Sequence, residues 1–101
     1  MDAKDLLQRA AAVPSEQTVE IAGDKLTVRR VTPQVALSAA AKAKDDGDAW
    51  MAELAANSIV EGDERPLANE EGVALIRALP PGDFLAVFQA ALLVNGFDRG
   101  N

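Results

Sequence analysis

Three groups of residues in this chain have types that chemistry uses. Asp45-Asp46-Gly47-Asp48 sets three carboxylates within four positions, the raw material of a calcium site. The twelve-residue loop with a closing glutamate is missing, so the run reads as punctuation between two helices. Glu61, Asp63 and Glu64 share a loop. Glycoside chemistry needs two carboxylates of opposed acidity facing each other across a cleft, and this spacing implies none. Arg29-Arg30, close to Lys25, offers an anion or partner contact, or simply a polar strand face. Ser15, Ser38 and Ser58 have no base partner, because the chain has no histidine. With no cysteine either, disulfides and the usual zinc and iron ligands are excluded. The glycines stand singly, so no loop cradles phosphate. The sequence presents no catalytic, cofactor or metal site, and the expectation is a protein that is not an enzyme.

The chain has 101 residues, enough for one domain. Apolar residues make up 49 %, many of them alanine, and the aromatics are only Trp50, Phe84, Phe88 and Phe97. The core should therefore be thin and aliphatic. Net charge is −6, unevenly spread. Residues 1–44 carry seven Lys and Arg against five Asp and Glu; residues 45–101 carry three against eleven, a surplus of about −8. That half is unsuited to nucleic-acid phosphates and tolerates a basic partner. Met1-Asp2-Ala3-Lys4-Asp5 is acidic and no long apolar run follows, so no signal peptide is expected, and no apolar run reaches membrane-spanning length.

The elements follow in order within a single domain, residues 1–101. Residues 1–16 hold a short helix, Asp2 to Val13, that is either flexible or ordered on a partner. Asp2 is its cap, Leu6, Leu7, Ala10 and Ala11 make a narrow apolar stripe, and Pro14 stops it. Such a stripe is more often core packing than an interaction motif. Residues 17–31 read as a β-hairpin about a Gly23-Asp24 turn of type II′. That register sets Ile21 opposite Leu26 and Val19 opposite Val28, all on one face that helices must cover.

Residues 32–97 form the helical part. Thr32 caps a helix opened by Pro33 and running to about Lys44. The acidic run then caps a helix with Met51, Leu54, Ala55, Ser58 and Ile59 on one stripe and Trp50 at its edge. Glu61 to Ala68 is a loop, and Asn69 caps a helix with Val73, Ile76 and Leu79 inward. The fold class is α+β, mainly helical: a hairpin on four to five short helices.

Pro80 to Phe97 is the helix around which the chain is organised. Pro80-Pro81-Gly82-Asp83 starts it, and Asn95-Gly96 stops it, with Phe97 folding back on the last turn. Phe84, Leu85, Phe88, Ala91 and Leu92 repeat at helical spacing, while Ala86, Ala90 and Leu93 make the rear apolar too. Such a helix lies at the centre of a core or against a partner. Two expectations follow for the rear: a protein-contact surface together with Trp50 and Phe97, or burial under the N-terminal helix. If it belongs to the core, the surface falls to Trp50, Met51 and the Glu61–Leu67 loop.

The order of segments resembles the tail assembly chaperones of long-tailed bacteriophages. The likeness rests on Thr27-Val28-Arg29-Arg30-Val31-Thr32, on Glu61-Gly62-Asp63-Glu64-Arg65-Pro66-Leu67, and on Asn95-Gly96. It spans nearly the whole chain. The chain departs from the pattern at Gly62-Asp63, where the family has Asp-Gly, which changes the turn. The resemblance implies a non-enzymatic factor, without cofactor, that binds the tape measure protein and keeps it soluble. It also implies recruitment of tail tube subunits, action in the host cytoplasm and absence from the mature virion. Self-association into a homo-oligomer is a further expectation, and neither nucleic acid nor membrane is an expected partner. The rival reading is a small acidic bacterial or prophage adaptor or inhibitor that binds a single protein partner. Gene order separates them, since a chaperone gene should lie between those for the tail tube and the tape measure.

Overall fold

The computed structural model describes residues 2–97. Five helices and a three-stranded sheet follow the order α1 (Ala3–Ala11), β1 (Glu16–Ile21), β2 (Asp24–Arg29), α2 (Pro33–Ala43), α3 (Gly47–Ser58), β3 (Ile59–Val60), α4 (Glu70–Arg77) and α5 (Pro81–Val94). The fold is α+β and mainly helical, with the N-terminal hairpin packed on the helices.

The hairpin has the expected face but a different register. Val19 lies opposite Leu26, and Ile21 lies opposite Asp24. The turn is Ala22-Gly23, not Gly23-Asp24, and both residues have positive φ, at 54° and 83°. Two positive φ values make a type I′ turn, whose twist matches that of the strands. The shift amounts to two residues, and side chains alternate with period two. Val19, Ile21, Leu26 and Val28 therefore stay together on the face toward the helices. Val28 is fully buried, and the other three are partly buried against the core.

The third strand was not visible in the sequence. Ile59 was expected on the stripe of α3, but the helix ends at Ser58. Ile59 and Val60 then pair antiparallel with Val28 and Thr27. Two β-branched or branched apolar residues after an alanine-rich helix favour the extended form, and both are buried there. β2 is thereby the middle strand of an order β1-β2-β3.

Polar side chains fix where the helices start. Asp2 accepts the Lys4 N–H, Thr32 the Val35 N–H, Asp46 those of Asp48 and Ala49, and Asn69 that of Gly72. The acidic run is thus the αL exit of α2, at Lys44 and Asp45, joined to the cap of α3. α5 ends in a Schellman motif. Gly96 has φ 79°, its N–H donates to the Leu93 carbonyl, and the Phe97 N–H donates to that of Leu92.

The core is shared between α3 and α5. α3 buries Ala52, Leu54, Ala55, Ala56 and Ser58 and packs against α2, α4 and α5. α5 buries Val87, Phe88, Ala90, Ala91 and Val94 and packs against α3, β1 and β2. α5, expected as the helix around which the chain is organised, shares that place with α3, which touches more helices. Leu85, which repeats with Phe84 and Phe88 at helical spacing, is exposed. α1 also differs from expectation. It buries no residue, and Leu7 is 68 % exposed. Its stripe does not pack on the core, because Pro14 and the Ser15 carbonyl, bonded to the Arg30 N–H, turn the chain directly into β1.

Candidate protein-binding groove

Four aromatic rings run in one line through the molecule. Phe84 stacks on Phe88 with centroids 6.3 Å apart. Phe88 meets the edge of Trp50 at 5.9 Å, and Trp50 meets Phe97 edge-on at 5.5 Å. Phe88 is buried, whereas Phe97 at the other end is exposed. The line therefore carries the core outward to the surface.

At that outer end lies a groove of about 550 Å³. One wall is the α2 face made by Pro33, Ala36, Leu37 and Ala40, and the other carries Trp50 and Phe97. The spacing i, i+3, i+4, i+7 makes the first wall one continuous helix stripe. α2 is apolar on two sides. Ala39 and Ala43 are buried, while Leu37 on the groove side is 72 % exposed.

Polar groups at the end of the groove are tied to the protein itself. Asn95 accepts the Val31 N–H at 2.9 Å and donates to Ser58 Oγ at 3.0 Å and the Ala91 carbonyl at 2.8 Å. Arg30 donates from Nε to the Val94 carbonyl at 2.8 Å and from Nη2 to the Val13 carbonyl at 2.6 Å. Its positive charge sits at the negative end of the α5 dipole. Among the described residues no buried side-chain nitrogen or oxygen lacks a partner. What the groove offers a ligand is apolar surface.

The basic pair is a structural clasp. Arg29 pairs with Glu16 at 2.9 Å and donates to the Gly62 carbonyl at 3.1 Å. A third arginine, which in the sequence is one charge in a loop, completes the clasp. Arg65 donates to the Asn57 carbonyl at 2.6 Å and the Arg30 carbonyl at 2.9 Å, so it ties the end of α3 to the exit of β2. Burial, and after it the charge of Arg29, lowers the Arg65 pKa below the usual guanidinium value. One signal was available: Arg65 is the only basic residue between Lys44 and Arg77. Arg65→Met keeps the stem and deletes these bonds together with a longer one to the Arg29 carbonyl at 3.5 Å, leaving three carbonyls to find other donors. We expect a loss of roughly 3 kcal/mol in unfolding free energy, read by urea denaturation.

The acidic residues sit at turns. Asp46 is a helix cap, as described, and Glu61 and Glu64 exchange backbone hydrogen bonds across Gly62-Asp63. Gly62 has φ 62°, so the first turn position suits glycine. Among the described residues no group of three potential ligands could hold a metal ion.

The residues expected at a contact surface divide. Trp50 and Phe97 touch and line the groove. Met51 is partly buried against the core beside them. Ala86, Ala90 and Leu93 line a separate depression with Gln17, Thr18 and Val19 of β1. Ala90 is only 4 % exposed, which corrects its assignment to a contact surface. The rear of α5 faces the β1 side, and the expected burial under the N-terminal helix does not occur. Leu93 stays partly exposed at the rim. Leu37 and Ala36 were missed, because the alanine string of α2 hid which of its faces was left over. No helix among the described residues is long and apolar enough to cross a membrane. No family model, curated protein or solved structure matches the chain.

Proposed function

We propose that this protein is a non-enzymatic tail assembly chaperone of a long-tailed phage or prophage, and that its groove takes an apolar stripe of the tape measure protein. The observation that carries this reading is the groove: a helix-long apolar wall facing two aromatic rings, with the neighbouring polar groups already satisfied. Such a site selects an amphipathic helix by its i, i+3, i+4 side chains and offers little to a polar small molecule. The segment order of the sequence supplies the partner, since tape measure proteins are long and largely helical. The acidic surplus adds net charge to the complex and opposes aggregation of apolar stripes. Each contact is modest, so several copies along one chain hold it while tail tube subunits can still replace them. The site is the host cytoplasm before the virion is complete.

The test is to co-express the tape measure protein with this chain and measure its soluble fraction. Wild type should raise that fraction and co-purify at low salt. Leu37→Asp should leave the fold within about 0.5 kcal/mol of wild type, because the side chain is already exposed. The same change should abolish most of the solubility gain. Equal solubility with and without the chaperone would reject the role. Selective capture of one other neighbouring gene product would favour the adaptor reading.

A further inference from the structure

We infer that α1 is a lid: in solution it swings about its C-terminal end and lays its apolar stripe in the groove of its own chain. The inference deepens the proposed function and rests on the groove being the docking site. Two exposed apolar surfaces among the described residues bear on this. α1 buries nothing and exposes Leu6 and Leu7, and the groove exposes Leu37 and Phe97. They are joined at one point. Arg30 lines the groove and holds the Val13 carbonyl, two residues beyond the end of α1. Pro14 and the paired Ser15 fix the chain after that point, so the pivot is Ala12-Val13, and the swing releases the bonds from the Ala12 and Val13 N–H groups to the Arg9 and Ala10 carbonyls, 3.2 and 3.5 Å long.

Length and charge match this occupant. Nine residues of α1 span about 13 Å, and the groove wall from Pro33 to Ala40 spans about 11 Å. Pivoting at the Arg30 end lays α1 antiparallel to α2, with its start toward Asp45 and Asp46. Those two carboxylates border the adjoining depression, which shares Ala40 and Trp50 with the groove. On a helical wheel Lys4 flanks the Leu6, Leu7 and Ala10 stripe, while Asp5 lies opposite it. Docking therefore brings Lys4 and the positive end of the helix dipole to two acids and leaves Asp5 outward. A tether of two residues holds the lid at an effective concentration of about 1 mM, so it outcompetes a second copy at ~10 µM by about 100-fold. A partner helix must displace the lid, which lowers its apparent affinity by the fraction of open molecules.

The chain has no cysteine, so Leu7→Cys with Leu37→Cys places a unique pair. Mild oxidation of the full chain at ~10 µM should give a cross-linked monomer about 100-fold faster than dimer. It should also outpace a Leu7→Cys, Leu85→Cys control, whose second site is exposed on α5. In a cysteine-free background, Leu6→Asp with Leu7→Asp should shift the emission of Trp50, the single tryptophan, to longer wavelength. A covalent dimer as main product would overturn the lid in favour of a second copy. A cross-linking rate equal to the control, or unchanged emission, would overturn it as well. Neither experiment contains tape measure protein, so failure here leaves the chaperone assay to stand or fall separately.

Discussion

Phe88→Ala is expected to lower the unfolding free energy by about 3–5 kcal/mol, the range for truncating a buried phenylalanine. Phe88 is 9 % exposed and links the two halves of the aromatic line, touching Phe84 on one side and Trp50 on the other. Its removal leaves a cavity at the junction of α3 and α5 and withdraws the support that holds Trp50 in the groove. A domain of this size has roughly 5–15 kcal/mol in total. The variant should therefore show a sharply lower urea midpoint. The Trp50 emission of whatever stays folded should shift as well. A loss below about 1 kcal/mol would mean that the aromatic line is not part of the core.

Gly72→Ala should also destabilise, although a helix-interior glycine replaced by alanine ordinarily gains about 1 kcal/mol. The reason is close approach. Gly72 lies in the first turn of α4 with its N–H bonded to the Asn69 carboxamide, and it is buried against the Leu67 backbone. A methyl group there would overlap the Leu67 carbonyl group itself. Backbone cannot rotate away as a side chain can, so either α4 or the loop must move. We expect a net loss of about 2–3 kcal/mol in urea denaturation, the upper range for overpacking. Alanine tolerated without loss would refute the contact between α4 and the loop.

Such contacts mark the limit of what could be read in the sequence. The apolar face of the hairpin was legible because alternation is a local signal, and a two-residue error in register does not alter it. The caps at Asp2, Thr32, Asp46 and Asn69 were legible because each capping bond spans two or three residues. The Gly96 stop was legible for the same reason. Long-range features were not. Gly72 reads as an unremarkable helix residue until Leu67 is seen against it. Arg65 reads as a loop charge until its carbonyl partners, eight and 35 positions away, are known. The two residues of β3 are too few to show a period.

The groove was half legible. Trp50 and Phe97 stood out because aromatics are scarce, and they do lie together. Ala86, Ala90 and Leu93 were grouped with them because α5 is apolar all round. A helix apolar all round gives no phase, so periodicity could not say which side meets the sheet. In α2 the same ambiguity concealed Leu37, whose exposure follows from Ala39 and Ala43 taking the packed side.

The most direct test of the groove is titration of the Leu6→Asp, Leu7→Asp variant, in which α1 does not cover the groove, with a tryptophan-free helical peptide from the tape measure protein, followed by Trp50 fluorescence. Trp50 is the only tryptophan and lies in the groove wall, so its emission reports occupancy. The account expects a saturable shift to shorter wavelength. It further expects Leu37→Asp to weaken binding at least tenfold, since burying a leucine contributes about 1.5–3 kcal/mol and tenfold is 1.4 kcal/mol. Leu93→Ala, at the separate depression, should leave the affinity unchanged. Binding that leaves Trp50 emission unmoved, or that Leu37→Asp does not weaken, would contradict it.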